Sequence, residues 1–528
     1  MNTDEFNLEE IDVKARWDEL DRDRQTLLRR ARECAELTIP SLMPPEGSTQ
    51  DTDLPTPYQG LGSRGVNNLA SKLLLTLLPP NNSFFRLMID SEVIWELEEQ
   101  GAKQDVEQQL SKIEDLILKE VEAKAIRVPV FEALKLLIVT GNALSYQPKE
   151  GGMEVFKLDQ YVVKRNPMGD VLELIIKEAI DFYSLPEEIQ NTILAEAEGE
   201  ESNEEVLKKD YDLFTYVKLD SEKKHWNVAQ ECEGVTVEGS EGKFKANDNP
   251  YIPLRWTASS GEDYGRGLVE EYLGDFVSLE SLSKAMIEGT TIASRIIGLV
   301  NPSGVTRVRK LMKASNGDFI EGNVDDVNFL QLDKHMDYSL VFQQIDKIET
   351  RLKYAFMVMD AIQRNAERVT AEEIRTMARE IESSLGGVYS LLSQEFQLPL
   401  IKRLMAQLQK ENKLPELPKE VIEPVIITGL EALGRGHDLD KLMYFMKAIE
   451  PLGPQVVQQY VVHPEYMQRS ATALGLDTEG LIKTQEQIQA EAQQAQKAQM
   501  MQQMGPEVMK AEQQAQIAQQ QQQQQGGR

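Results

Sequence analysis

The chain is poor in cysteine, in histidine and in positive charge, and each shortage removes a class of function. Cys34 and Cys232 are its two cysteines, too few for a disulfide framework or a zinc-finger spacing. Two distant thiols suit a reducing compartment. The four histidines, His225, His335, His437 and His463, are scattered, with no HExxH pair and no nucleophile pattern beside them. Enzyme chemistry therefore has no support in the sequence. Against 87 acidic residues stand 57 basic ones, a formal net charge of −30. A protein that coats nucleic acid needs a positive surface to displace counterions, and this chain lacks one, although local basic rings are still compatible with it. No Walker A sequence GxxxxGK[ST] occurs, so the phosphate loop of an ATP-hydrolysing motor is missing. No apolar run approaches the ~20 residues of a membrane helix, and Met1–Glu10 is acidic, without a signal-peptide pattern. These absences lead to the expectation of a soluble protein made in the cytoplasm, with no cofactor, no metal and no membrane partner.

One motif match is discounted for lack of context. Gly60-Leu61-Gly62-Ser63-Arg64-Gly65 fits GxGxxG ahead of a helix, but the dinucleotide fingerprint needs a strand immediately before it. Pro55-Thr56-Pro57-Tyr58 is no strand, and no βαβ unit follows, so the glycines read as a structural turn.

At 528 residues the chain exceeds one ordinary core, and two or more lobes are expected. It is organised around Met336–Asn412, two long helical segments joined by a short hydrophilic linker. Before the linker, Ile345, Ile348, Leu352, Ala355 and Met359 recur at helical steps. After it, Thr370 and Glu373 form a capping box, and Ile374, Met377, Ile381, Leu385 and Val388 continue with the same spacing. Gly386-Gly387 inside this helix marks a kink or a close backbone contact. Upstream, Ile11–Leu37 reads as one charged amphipathic helix with Trp17, Leu20, Leu27 and Leu28 on its apolar side. Val66–Leu78, Gln104–Ala125 and Val130–Ile138 read as further helices. From Gly152 to Arg255, alternating runs such as Met153–Leu158 and Leu213–Leu219 are strand-like, with a solvated acidic loop at Glu198–Glu205. Leu268–Ser294 returns to helix, with Leu279, Leu282 and Met286 on its stripe. Between this helix and the one beginning near Met336 lies a small module with the turns Asn301-Pro302-Ser303-Gly304 and Asn316-Gly317 and the alternating run Val305–Val308. Leu414-Pro415-Glu416-Leu417-Pro418 is a linker, helices follow from Leu439 to about Ile482, and the Gln-rich chain from Thr484 cannot bury enough apolar surface to hold a fold. The fold class is mainly α with an α+β lobe.

Several stretches resemble the portal, or head-to-tail connector, proteins of tailed bacteriophages, in particular the short-tailed podovirus branch. They are Glu367-Arg368-Val369-Thr370-Ala371-Glu372-Glu373-Ile374, Ser383–Gln394, Asn67-Asn68-Leu69-Ala70-Ser71-Lys72-Leu73, Gly298–Pro302 and Asn328–Leu332. The resemblance runs from about Ala35 to Leu442. It implies a wing at 1–265, a first stem helix at 266–294, an inserted clip at 295–335 and a second stem helix at 336–362. A tunnel loop at 363–370, a long kinked helix returning to the wing at 371–435, a helical crown at 436–483 and the Gln-rich tail at 484–528 complete it. It also implies a ring, commonly of twelve subunits, at one capsid vertex of the virion, through which double-stranded DNA is packaged, retained and ejected. Its implied partners are further copies of the chain, the major capsid protein, a scaffolding protein, the terminase large subunit, a tail adaptor and internal core proteins.

Three groups of residues are singled out. Gln363, Arg364, Asn365, Glu367 and Arg368 are, by resemblance, the channel-lining tunnel loop, where the two arginines steer DNA or brace the loop against nearby glutamates. Arg295, Arg307, Arg309, Lys310 and Lys313 form a basic run without an acidic residue. It reads as a protein interface in preference to a DNA-facing ring, because no aromatics interleave with the charges. Leu279, Leu282, Met286, Ile345, Ile348 and Leu352 are the stem-packing stripe, expected to serve within and between subunits. No residue is assigned catalysis. The competing readings are a non-viral helical oligomeric scaffold and an enzyme with its site in the α+β lobe.

Overall fold

Arg24 divides what the spacing presents as one helix from Ile11 to Leu37. The chain forms α1 (Val13–Asp23) and α2 (Gln25–Glu36), and Arg24 between them leaves helical geometry at φ −105°, ψ 6°. Its buried guanidinium donates to the carbonyls of Leu158 and Tyr161 and lies over the Trp17 and Tyr264 rings. Burying a guanidinium is costly unless it is hydrogen-bonded, and these partners, in a different part of the chain, make the break worthwhile. In this computed structural model the described residues are 12–49, 51–80, 83–89, 103–197, 207–220, 224–293, 297–330, 335–358, 371–414, 422–426, 434–453, 461, 466–467 and 470. They fall into two compact units, Met1–Ala432 and Leu433–Arg528.

The next helix, α3 (Leu61–Leu77), starts five residues before the expected Val66. The GxGxxG glycines therefore do not make a turn; Gly62 and Gly65 lie in the helix, where neighbours crowd them. A Cβ on Gly62 would stand 2.6 Å from the Leu37 carbonyl oxygen, and one on Gly65 would stand 3.0 Å from Phe356 Cγ. After strand β1 (Phe85–Ile89) come α4 (Lys103–Ala123) and α5 (Arg127–Thr140). Gly141 closes α5 in the left-handed region at φ 80°, where the backbone of Arg266 and Gly267 leaves no room for a Cβ.

The strand-like region is a lobe of two antiparallel sheets. Strands β2 (Asn142–Tyr146), β3 (Glu154–Phe156), β4 (Tyr161–Arg165) and β5 (Val171–Asp181) come first. After helix α6 (Glu187–Ala197) come β6 (Asp210–Asp220), β7 (His225–Cys232), β8 (Val235–Thr236), β9 (Gly242–Lys245) and β10 (Tyr251–Arg255). The larger sheet runs β4-β5-β6-β7-β8 with β9 also on β7, and the smaller runs β10-β2-β3. One side of the larger sheet is covered by α1, whose Val13, Trp17 and Leu20 pack on Val162, Ile175, Phe214 and Tyr216. One end is covered by α6 through Ile189 and Ile193. The acidic Glu198–Glu205 loop lies outside the described residues.

A one-turn helix, Leu268–Glu271, precedes α7 (Leu273–Ala293); Tyr272 interrupts the single helix expected over Leu268–Ser294. Strands β11 (Ile297–Val300) and β12 (Val327–Leu330) lead into α8 (His335–Ala355). The last long element is a helical rod. It comprises α9 (Ala371–Leu392), a π-helical turn at Ser393–Gln397 and α10 (Leu398–Lys410). Leu385, at φ −130° and ψ 28°, breaks helical geometry beside Gly386-Gly387, where the paired glycines foretell a kink. Strand β13 (Ile422–Ile426), which no periodicity announces, returns to pair antiparallel with β1. The second unit contains α11 (Gly434–Ile449).

The main core joins α3, α5 and the rod, with Leu69, Leu73, Leu137, Leu400 and Leu404 fully buried. Each such side chain contributes about 1.5–3 kcal/mol relative to exposure. Polar clamps tie the rod to the lobe. Glu395, on the π turn, accepts from the Arg255 amide at 3.2 Å and its Nε at 3.1 Å. Arg403 pairs with Asp248, and Gln397 Nε2 ties the rod to α3 by donating to the Leu77 carbonyl at 2.6 Å. Arg165 stands 3.7 Å from Glu395; burial pushes its pKa down, and the carboxylate opposes that shift.

Candidate functional site, the helix pair and its tip

Helices α7 and α8 run antiparallel. Near one end Arg351 Nη2 lies 2.7 Å from Asp275 Oδ1. Near the other, Tyr338 presses on Gly289, where a Cβ would stand 2.7 Å from the phenol oxygen. Towards the first end the pair is rooted in the main core. Leu279, Ile348 and Leu352 are buried there with Phe276 and Phe356, and Leu282 and Ile345 are partly buried against them. Met286 is half-buried further along. The structure thus brings Leu279, Leu282, Ile345, Ile348 and Leu352 into one cluster with the main core, with Ile348 buried inside its own chain. The distal half behaves differently: Ile287, Ile292, Leu340 and Phe342 are exposed. Two helices alone cannot cover apolar residues that point away from their shared seam.

Between the helices sits the tip. Its strands pair antiparallel from Ile297↔Leu330 to Val300↔Val327. The alternating Val305–Val308 run is not a strand, a correction to the sequence reading. Val308–Leu311 is a single helical turn, and the preceding backbone is drawn aside by Asp326. Asp326 Oδ2 accepts from the amides of Val305 at 2.8 Å and Thr306 at 3.1 Å, and from Thr306 Oγ1 at 3.0 Å. The Asn323 amide in turn donates to Thr306 Oγ1 at 2.9 Å. Gly304 lies so close to the Asp326 carboxylate that a Cβ would stand 2.3 Å away. One carboxylate and one hydroxyl therefore organise a loop with little apolar core of its own.

Of the basic run, Arg307, Arg309, Lys310 and Lys313 are exposed on this tip; Arg295 lies outside the described residues. Lys310 stands 3.6 Å from Glu321, both side chains solvated, so the pair contributes little. Val305, Met312, Phe319 and Val324 are also exposed there, Phe319 completely. A mixed apolar and basic surface suits a protein partner better than a phosphate backbone alone.

At the rooted end, α8 stops at Ala355, seven residues before the expected Ile362, and its end is closed by residues the sequence reading did not single out. Met357 is left-handed at φ 51°. Its amide donates to the Tyr354 carbonyl at 3.1 Å, and that of Val358 to Lys353 at 2.8 Å, the two bonds of a Schellman ending. From α3, Asn68 Nδ2 donates to the carbonyls of Phe356 at 3.1 Å and Met357 at 3.0 Å, and Lys72 Nζ donates to Met357 at 2.9 Å. An ammonium at a helix C-terminus also complements the helix dipole. The one available signal was the Asn67–Leu73 stretch; nothing in its spacing reveals a partner nearly three hundred residues away. The tunnel-loop candidates Gln363, Arg364, Asn365, Glu367 and Arg368, and the Thr370 capping position, lie outside the described residues.

Among the described residues, no cluster of three or more His, Cys, Asp or Glu could hold a metal ion, and no helix is long and apolar enough to cross a membrane. Burial raises the Cys34 thiol to about 12 and Cys232 to about 11, which keeps both unreactive.

Comparison with known proteins gives a consistent result. Residues 11–482 match the family described as bacteriophage head to tail connecting protein. The chain is 44% identical over 487 residues to the portal protein of Enterobacteria phage T3, covering 92% of this chain and 90% of that protein. To the portal protein of Escherichia phage T7 it is 43% identical over 488 residues, covering 91% and 90%. Among solved structures, a chain in the virion of a native gene transfer agent particle aligns over 79% of this chain and 90% of its own, at 12% identity and a TM-score of 0.35. A likeness of that size adds nothing to the fold described above.

Proposed function

Since the chain belongs to the bacteriophage head-to-tail connecting, or portal, proteins of short-tailed phages, structural connectors and not enzymes, we propose that it acts as one subunit of a closed ring at a capsid vertex. DNA enters through this ring during packaging, is held by it and leaves through it. The observation that carries the reading is the helix pair. Its root is buried in its own chain, its distal half exposes Ile287, Ile292, Leu340 and Phe342, and it bears a small module rich in exposed apolar and basic residues. Neighbouring copies side by side would cover the distal half, as a ring requires of every subunit equally.

On this reading α7 and α8 are the stem, the tip is the clip, the α+β lobe with the rod is the wing, and 436–483 is the crown. The tip meets the terminase large subunit first and a tail adaptor afterwards. The lobe faces the major capsid protein, a scaffolding protein assists assembly, and internal core proteins meet the crown. The residues Gln363 to Arg368 form the loop at the channel's constriction. Synthesis is in the host cytoplasm. Membership of the connector family sets the enzyme alternative aside.

Native mass spectrometry and electron microscopy of the purified chain test the ring. A closed ring of about twelve copies is expected, and a monomer at every concentration would refute the proposal. Leu340→Asp with Phe342→Asp is expected to abolish rings and leave the melting temperature of the single chain unchanged, because neither residue is buried within it. Ile348→Asp cannot serve as this test: it would place a charge in the chain's own core.

A further inference from the structure

Leu340 and Phe342, both exposed, lie on opposite sides of the helix pair. The stripe of α8 that carries Ile345, Ile348 and Leu352 faces the core. Counted from it at about 100° per residue, Phe342 and Asp346 stand about 80–120° to one side, and Leu340 and Lys347 about 120–140° to the other. Because the two helices are antiparallel, the same count places Ile287 of α7 on the Phe342 side and Ile292 on the Leu340 side. Each side therefore carries two exposed apolar residues.

The charges differ between the sides. On the first, Glu280 accepts from the amides of Tyr58 and Gln59, Lys284 lies over the Tyr58 ring, and Glu349 pairs with Lys353. On the second, Arg351 pairs with Asp275. Glu288 lies on the back of α7, away from α8. Among the described residues this leaves one carboxylate, Asp346, on the first side and one ammonium, Lys347, on the second, both exposed.

We infer that these sides are the two halves of one contact between copies of the chain. The Ile287, Phe342 and Asp346 side of one subunit packs on the Ile292, Leu340 and Lys347 side of the next. This rests on the ring proposed above and adds which surfaces meet in it. A ring joins unlike faces, head to tail, at every interface, and these two faces are alike in apolar character and opposite in charge. Copies in a ring are related by rotation alone, so with α8 along the ring axis, residues at equal heights face each other. Asp346 and Lys347 differ in height by about 1.5 Å, and Phe342 and Leu340 by about 3 Å. The apolar residues supply attraction. The charges select which side meets which, since like sides would bring two carboxylates or two ammoniums together.

Asp346→Lys and Lys347→Asp test the pairing, with assembly of the full chain read by native mass spectrometry at low ionic strength. Neither residue is buried, and consecutive residues of a helix do not face each other, so each variant is expected to keep the parent's melting temperature. Each alone places like charges at every interface, and the concentration for half-assembly is expected to rise at least about threefold. Two rescues are expected. One is both substitutions in a single chain. The other is an equal mixture of the two variants, in which alternating copies restore opposite charges at every contact. A rescue by mixing cannot arise inside one chain. Single variants that assemble as readily as the parent, or failure of either rescue, would overturn the inference. A parent that forms no rings would instead refute the ring itself.

Discussion

Gly65 and Phe356 meet across nearly three hundred residues of chain, so closely that a Cβ on the glycine would lie 3.0 Å from the ring. The ring cannot easily retreat. It makes edge contacts with Tyr272 and Phe276, at centroid distances of 6.3 and 5.6 Å, and is almost wholly buried.

Gly65→Ala should therefore reverse the usual sign of a glycine replacement within a helix. Helix propensity alone favours alanine by about 1 kcal/mol, whereas forcing a methyl into a filled core costs about 1–3 kcal/mol. A net lowering of the thermal midpoint is expected. Gly274→Ala in α7, with no atom within 4 Å of the new methyl, should raise it. A stabilised Gly65→Ala would mean that the ring has room to move.

The attachment of α1 should weaken in acid. Glu173 accepts from Arg16 Nη2 at 2.8 Å and Tyr216 Oη at 2.9 Å. Burial pushes its pKa up, but the bonds from Arg16 and Tyr216 outweigh this and hold it below the usual value. A lowered folded-state pKa gives stability that is complete above the unfolded carboxylate pKa of about 4.3 and is lost as pH falls through the folded value. Glu231, raised by burial, acts with the opposite sign, so Glu173→Gln separates the two. Its thermal midpoint should lie below that of the parent at neutral pH and should fall less between about pH 6 and about pH 3.5. Equal falls in both proteins would count against the role given to Glu173.

The tip should loosen when its one organising carboxylate is removed. Asp326→Ala strands the amides of Val305 and Thr306, at roughly 1–3 kcal/mol for a lost partner. Trypsin should cut at Arg307, Arg309, Lys310 or Lys313 at least about tenfold faster, while the midpoint of the whole chain barely moves. Resistance equal to that of the parent would show that other contacts hold the loop.

For the constriction, Arg364→Ala with Arg368→Ala should leave ring assembly intact and reduce the packaging or retention of DNA. Two arginines per subunit can steer a duplex. Neutralising ~6–10 phosphates would instead bind it tightly, with a steep salt dependence. Normal packaging, retention and ejection would remove the steering role, and loss of rings would indicate that the arginines brace the loop.

Periodicity made the long elements legible. The stripes of Leu279 with Leu282 and of Ile345, Ile348 and Leu352 identify two helices that do share a seam, and Gly386-Gly387 points to within one residue of the break at Leu385. What escaped was set by distant partners. Strand β13 pairs with an edge that β1 offers, and the end of α8 is held by donors from α3. The Val305–Val308 run is diverted by an aspartate some twenty residues away. None of these leaves a trace in local spacing, since the decisive hydrogen bond joins residues far apart in the chain. The exposed residues Leu340 and Phe342 were equally hidden, because a helical stripe does not state which chain will cover it.

The π turn at Ser393–Gln397 sets the phase of the rod. Leu392, Phe396, Leu400, Leu404 and Leu408 are all buried at steps of four. In an uninterrupted α-helix each such step overshoots a full revolution by about 40°, so over this run the last leucine would drift about 160°, nearly to the far side. One wide turn takes back most of that error, as a leap day corrects a calendar. Deleting a single residue from Ser393–Gln397 would keep a continuous helix but rotate everything beyond it by about 100°, carrying Arg403 away from Asp248 and Gln407 Nε2 away from the Pro148 carbonyl, to which it donates at 2.7 Å. In this stretch the rod is sensitive to residue count, not only to residue type.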